Sequence, residues 1–295
     1  MEALQALSVS RPLWAWLSEK AGQARVRAVF ERTCLLETPN GDLIALVLSQ
    51  IGNGPLNIVT EGRPGAFAPL QPGMLAALGT EHLVVGSVTV SIQGAATWEP
   101  RPNWTAYRTR SSAIREQLPH LRAVAARLAP ETGLLWLTGN GTEAAPPSVT
   151  GGEWSDSLSR RVWEGTSAIL KGWGGDAAAL QAGARRLAGL GVGLTPAGDD
   201  LLAGFLLGAW LAHPNPCRLG KLVVEAAHGQ TTALSAAFLQ AAGSGLCSEP
   251  WHDLLAALDS GGHARLEAAV QRVLACGSTS GADTLAGFLL LDPKS

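Results

Sequence analysis

Ten residues near the C-terminus repeat ten residues near position 200. Laying Gly281-Ala-Asp-Thr-Leu-Ala-Gly-Phe-Leu-Leu290 on Gly198-Asp-Asp-Leu-Leu-Ala-Gly-Phe-Leu-Leu207 gives eight identities at an offset of 83 residues. Turn-forming runs precede both copies, Gly189-Leu-Gly-Val-Gly-Leu-Thr-Pro196 in the first and Gly277-Ser-Thr-Ser280 in the second. An internal echo of this length predicts two helices packed in related ways. The small pairs Ala203–Gly204 and Ala286–Gly287 would let those helices approach closely, bringing both loops, with Asp200 and Asp283, to one shared place. Duplication for packing alone is the competing reading.

The first loop has its own chemistry. Gly189, Gly191 and Gly193 free the backbone for close approach to a ligand, and Thr195 and Pro196 are residue types suited to an N-cap and a first helical position. Unpaired N–H groups at a helix start carry partial positive charge, so an anion is the natural guest. Asp199 and Asp200 follow at once. Adjacent carboxylates beside a phosphate-sized nest point to Mg2+ held between acid and anion, although aspartates at a helix start also favour the dipole with no ligand. The candidate site is therefore Asp199, Asp200 and Asp283 as catalytic or magnesium-binding carboxylates. Gly191, Gly193, Thr195, Gly198, Thr279, Ser280 and Gly281 are the candidate contacts to a small anionic substrate.

Other chemistries find little support. The glycines are not followed by the lysine of a P-loop, there is no G-x-S-x-G, and the six histidines form no HxxH or HExxH pair. His228, beside Gly229 and Thr231, is the histidine to watch. A net charge of −2 argues against nucleic-acid or membrane-surface partners. Four cysteines without a CxxC pair fit a reducing compartment. Met1 to Leu17 lacks the basic start and apolar stretch of an export signal, so a cytoplasmic location is expected.

Hydrophobic periodicity predicts an α+β fold: a β-rich N-terminal domain over residues 1–104 and an α-helical domain over 105–295. Residues 3–21 read as one or two short helices broken at Pro12. Residues 24–100 read as a small antiparallel sheet or barrel with Trp98 in its core or an interface, and Gly52-Asn-Gly-Pro55 as a turn or a source of backbone donors. Beyond a linker at Arg101–Trp104, helices are expected over 111–129, 158–170, 177–188, 201–212, 219–228, 231–242, 251–258 and 263–276, with a loop over 138–152. Arg108, Arg110, Arg115, Arg122 and Arg127 form a solvated helix face, or lend one guanidinium to a substrate carboxylate.

Taken together, G-L-G-V-G-L-T-P-A-G-D-D-L-L-A-G and G-S-T-S-G-A-D-T-L-A-G-F resemble the paired signature of the AllH family, and Thr231-Thr-Ala-Leu-Ser-Ala-Ala-Phe-Leu-Gln-Ala-Ala242 resembles its middle helix. The resemblance is specific over residues 185–293. Two positions depart from the pattern: Ala197 stands where a serine is common, and Ser278 where a histidine is found. The resemblance implies a subunit of a multi-subunit oxamate carbamoyltransferase in allantoin catabolism, exchanging a carbamoyl group between oxalurate and phosphate to give oxamate and carbamoyl phosphate. It also implies partner subunits. A non-catalytic subunit that only binds or senses a small anion is the alternative.

Overall fold

A computed structural model describes residues 2–19, 22–138 and 156–290. The chain forms two compact units, Met1–Pro102 with Cys247–Glu249, and Asn103–Leu246 with Pro250–Ser295. The fold is mixed α+β, as its periodicities predict.

The first unit is a barrel-like sheet of β1 (Glu2–Ser10), β2 (Gly22–Val29), β3 (Thr33–Glu37), β4 (Leu43–Leu48), β5 (Asn57–Thr60), β6 (Leu75–Leu78), β7 (His82–Val85), β8 (Val88–Ser91) and β9 (Ala96–Trp98). The strand order β5-β4-β3-β2-β6-β7-β8-β1-β9 closes on itself through a β1–β5 pairing. β1 makes the closure: one edge pairs β8 and then β9 in parallel, and the other pairs β5 antiparallel. The sheet is thus mixed rather than antiparallel throughout, with a further parallel pair at β4–β5. Inward side chains such as Leu36, Leu46, Ile58, Phe67, Leu83 and Val90 have no exposed surface and fill the interior.

Residues 3–10 are a strand, not the helix that leucine spacing suggests. Leu4 and Ala6 alternate with exposed neighbours, and three partner strands supply the backbone hydrogen bonds that override local helical preference. Pro12 does not break a helix; it lies in the first turn of α1 (Arg11–Glu19), where its missing N–H costs nothing. The β-branched run at 82–92 divides into β7 and β8 at Gly86, whose φ of 54° turns the hairpin. Trp98 is half-buried. The Gly52–Pro55 turn already has its partner: Glu249 Oε2 accepts from Asn53 N–H at 3.1 Å and Asn53 Nδ2 at 2.9 Å, and the Ser8 hydroxyl donates to Asn53 Oδ1 at 2.6 Å.

The second unit is helical: α2 (Trp104–Thr109), α3 (Ser111–Leu128), a 3-10 turn (Leu134–Thr138), α4 (Asp156–Trp173), α5 (Ala177–Leu187), α6 (Ala197–Ala212), α7 (Pro216–Ala227), α8 (Ala233–Gly243), α9 (Glu249–Ser260), α10 (His263–Leu274) and α11 (Ser280–Leu289). The expected linker at 101–104 ends in α2, capped by the Asn103 side chain on Ala106 N–H at 3.1 Å. The Asp176 side chain caps α5 through Ala179 N–H at 2.9 Å. Of the expected 138–152 loop, Thr138 closes the 3-10 turn and the remainder lies outside the described residues.

Candidate functional site

The two copies of the repeat are α6 and α11, and their glycines explain how they meet. A Cβ built on Gly204 would lie 1.8 Å from the Thr284 carbonyl oxygen, and one on Gly287 would lie 1.9 Å from that of Leu201. Subtracting the 83-residue offset from Thr284 gives Leu201, so the contacts are reciprocal, as about a local two-fold axis. Phe205 and Phe288, also equivalent, are both buried. At this crossing the helices touch backbone to backbone, and their N-terminal ends come together where Thr195 Oγ1 and Ser280 Oγ share a hydrogen bond of 2.9 Å.

Gly189, Gly191 and Gly193 adopt φ values of 70°, 121° and 95°, a region closed to most side chains. The N–H groups at both ends of the loop are tied: Gly189 donates to Asp199 Oδ1 at 3.0 Å and Gly198 to the Leu190 carbonyl at 2.8 Å. Between them, the N–H groups of Gly191, Val192, Gly193, Leu194 and Thr195 meet no acceptor among the described residues. Left-handed glycines alternating with ordinary residues before a helix start are one ingredient of an anion nest, and residues 191–194 lie exposed to solvent. The helix begins at Ala197 with Pro196 as its cap residue, so Thr195 is not the N-cap its sequence suggests; its hydroxyl reaches Ser280.

The second loop is shorter. Gly277 turns it with φ of 70°, and the N–H groups of residues 277–280 likewise meet no described acceptor before Gly281 donates to the Cys276 carbonyl at 3.0 Å. Gly281 is the equivalent of Gly198. Neither offers a free N–H, and a Cβ on either would strike a carbonyl, Leu187 at 2.1 Å or Val273 at 2.0 Å. These two expected ligand contacts are therefore packing positions.

The three aspartates divide into distinct situations. Asp199 is buried, and both its oxygens accept from the protein, Oδ1 from Gly189 N–H and Oδ2 from the Thr231 hydroxyl. Asp200 is partly exposed, and its Oδ2 has no partner. Burial pushes its carboxyl up to about 8; the Ser280 and Thr195 hydroxyls oppose the rise, and the charges of Asp283 and Asp199 add to it. Asp283 is fully buried, its Oδ1 accepting from Leu134 N–H at 2.7 Å and its Oδ2 unpartnered. Burial raises it to about 6 against the Leu134 and Thr279 hydrogen bonds. Gly133 permits the Leu134 contact, since a Cβ there would come within 3.1 Å of Asp283 Oδ1.

A three-carboxylate magnesium site does not form. No group of three or more His, Cys, Asp or Glu side chains converges among the described residues, because Asp199 is turned to the loop backbone and Thr231. Asp200 and Asp283 are left, each with an orphaned oxygen. Mg2+ is commonly held by one or two carboxylates together with substrate oxygens, and these two oxygens, both buried, are the groups that would hold one.

Three of the arginine candidates are engaged elsewhere. Arg108 donates to the His213 carbonyl at 2.7 Å, Arg110 pairs with Asp259, and Arg127 pairs with Glu267 at 2.9 Å. His228 is exposed at the end of α7. Sequence reasoning missed Gly133, Leu134, Thr231 and Thr232. Of these, only the Thr-Thr pair before Ala-Leu-Ser carries a visible signal, that of a helix cap.

Residues 187–291 match the profile of a family described as oxamate carbamoyltransferase subunit AllH, and residues 5–97 match that of the AllH family N-terminal domain. Both loops and all three aspartates fall inside the first match. No solved structure matches the chain.

Proposed function

The chain belongs to the AllH family, and from that premise we propose that it is the subunit of an oxamate carbamoyltransferase-type enzyme that holds the phosphate or carbamoyl phosphate. The observation that carries this reading is the row of unpartnered N–H groups at residues 191–195, opening beside the Thr195–Ser280 hydroxyl pair and Asp200. In the proposed role, Gly191, Gly193, Thr195 and their neighbours receive phosphoryl oxygens, and the N-terminal end of α6 adds its dipole. Thr195, Ser280 and Thr279 donate through their hydroxyls. The free oxygen of Asp200 either accepts from a carbamoyl N–H, orienting that group toward the oxamate nitrogen, or holds Mg2+, which would neutralise phosphoryl charge and polarise the transferring group; Asp283, fully buried, stands behind it. Carbamoyl transfer of this kind is accelerated largely by holding the two reactants in line, a task for rigid backbone donors.

Calorimetry with phosphate and with carbamoyl phosphate, with and without Mg2+, tests the site. Binding should tighten with Mg2+, and Asp200→Asn should remove that gain about tenfold or more. Unchanged affinity and magnesium dependence in Asp200→Asn would reject the assignment. Assay of the purified chain alone, and with partner subunits, separates a catalytic chain from one that only binds the anion.

A further inference from the structure

The glycine loop is held from outside, by three residues that no described role accounts for. The Gly229 turn, with φ of 73°, carries the chain from α7 toward α8, and the Gln230 carbonyl oxygen then lies against Gly189, where an added Cβ would come within 2.2 Å of it. The Thr231 hydroxyl donates to Asp199 Oδ2, whose other oxygen takes the Gly189 N–H. The Thr232 hydroxyl donates to the Leu194 carbonyl at 2.6 Å and accepts from Ser235 N–H at 3.1 Å, capping α8. One three-residue segment thus grips the loop near both ends, and four of the five N–H groups left without an acceptor, those of residues 191–194, lie between the grips.

We infer that Thr231 and Thr232 are positioning residues for the anion loop, setting its free N–H groups in place through Asp199 and the Leu194 carbonyl without touching the ligand. The inference rests on the reading of this loop as an anion site. It gives Asp199 a different part from Asp200: a buried clamp within the protein, with both oxygens already bonded to the chain. It also explains why two hydroxyl residues stand in succession, since one side chain cannot both complete Asp199 and cap α8 while holding Leu194.

Thr231→Val removes the hydroxyl and keeps the shape; Thr231→Ser restores the hydroxyl. Measured on the full chain, Thr231→Val should weaken inorganic phosphate binding about tenfold, the effect of one lost hydrogen bond to a charged group, with Thr231→Ser within twofold of wild type. Amide hydrogen exchange at Gly189 and Gly198, the tied N–H groups at the two ends of the loop, should accelerate in Thr231→Val while exchange in the interior of α6 does not. Equal exchange in the loop for wild type and Thr231→Val overturns the inference, as does phosphate affinity unchanged by the substitution. Should wild type bind no phosphate at all, the proposed function fails, and the exchange result still decides whether Thr231 sets the loop. If Thr231→Val does not fold, Thr232→Val, which releases the Leu194 carbonyl and leaves Asp199 bonded, must show the same local acceleration, and its absence counts against the inference.

Discussion

The two copies of the repeat agree at their crossing and diverge at their ends. Gly204 and Gly287 perform one task in mirrored fashion, as do Gly198 and Gly281. At the loops the likeness stops. The first has three left-handed glycines and a clamp at Asp199; the second has one such glycine and Ala282 in the clamp's place. Asp200 is half-buried with its unpartnered Oδ2 closed to solvent, whereas its counterpart Asp283 has no exposed surface and is tied to Leu134. A packing code can therefore be duplicated intact while the ends of the duplicated elements take separate work, one presenting donors and the other anchoring a neighbouring turn.

The sharpest way to break the first half of that comparison is at the glycines. Gly204→Ala and Gly287→Ala each force a methyl into a carbonyl less than 2 Å away, so each should cost about 3 kcal/mol or more of stability by chemical denaturation. Loss at one position with tolerance at the other would show that the crossing is not reciprocal.

The second half is sharpened by pH. Both carboxyls are raised above their ordinary value of 3.8, Asp200 to about 8 and Asp283 to about 6, so the folded chain keeps protons that the unfolded chain releases. Stability is then undiminished below about pH 4 and falls as pH climbs, through about 6 for Asp283 and about 8 for Asp200. Unfolding free energies of wild type and Asp200→Asn should diverge up to pH 8, by up to a few kcal/mol, with the variant the more stable there. Asp283→Asn should change the profile between pH 4 and 6 only. Identical profiles for the two variants would erase the distinction between these two carboxyls.

The smallest effect lies in loop strain. Nothing lies within 4 Å of a Cβ on Gly193, so Gly193→Ala should cost only the left-handed penalty, about 1–2 kcal/mol, yet weaken phosphate binding. Gly277→Ala carries a similar strain, and its Cβ meets Ser280 Oγ at 3.1 Å. It should lower affinity less, and an equal or larger loss would shift the anion toward the second loop.

Much of this was legible in the residues. The repeat, the small residues at the crossing and the left-handed glycines are local signals, and they carry the helix pairing and the loop directly. What stayed hidden depends on partners far along the chain. Residues 3–10 look helical until three strands pair with them, and Asp199 looks like a ligand until Thr231 and Gly189 complete it. The tie between Leu134 and Asp283 spans 149 positions and passes close beside Gly133, where a Cβ would come within 3.1 Å of Asp283 Oδ1, a proximity no periodicity announces.

At Gly204 and Gly287 no rotamer is available to absorb a shift, because main chain rests on main chain. A ligand settling between the two helix tips would find jaws of fixed gape, so discrimination among anions would come from their dimensions and charge, and any yielding part would have to be the loops themselves.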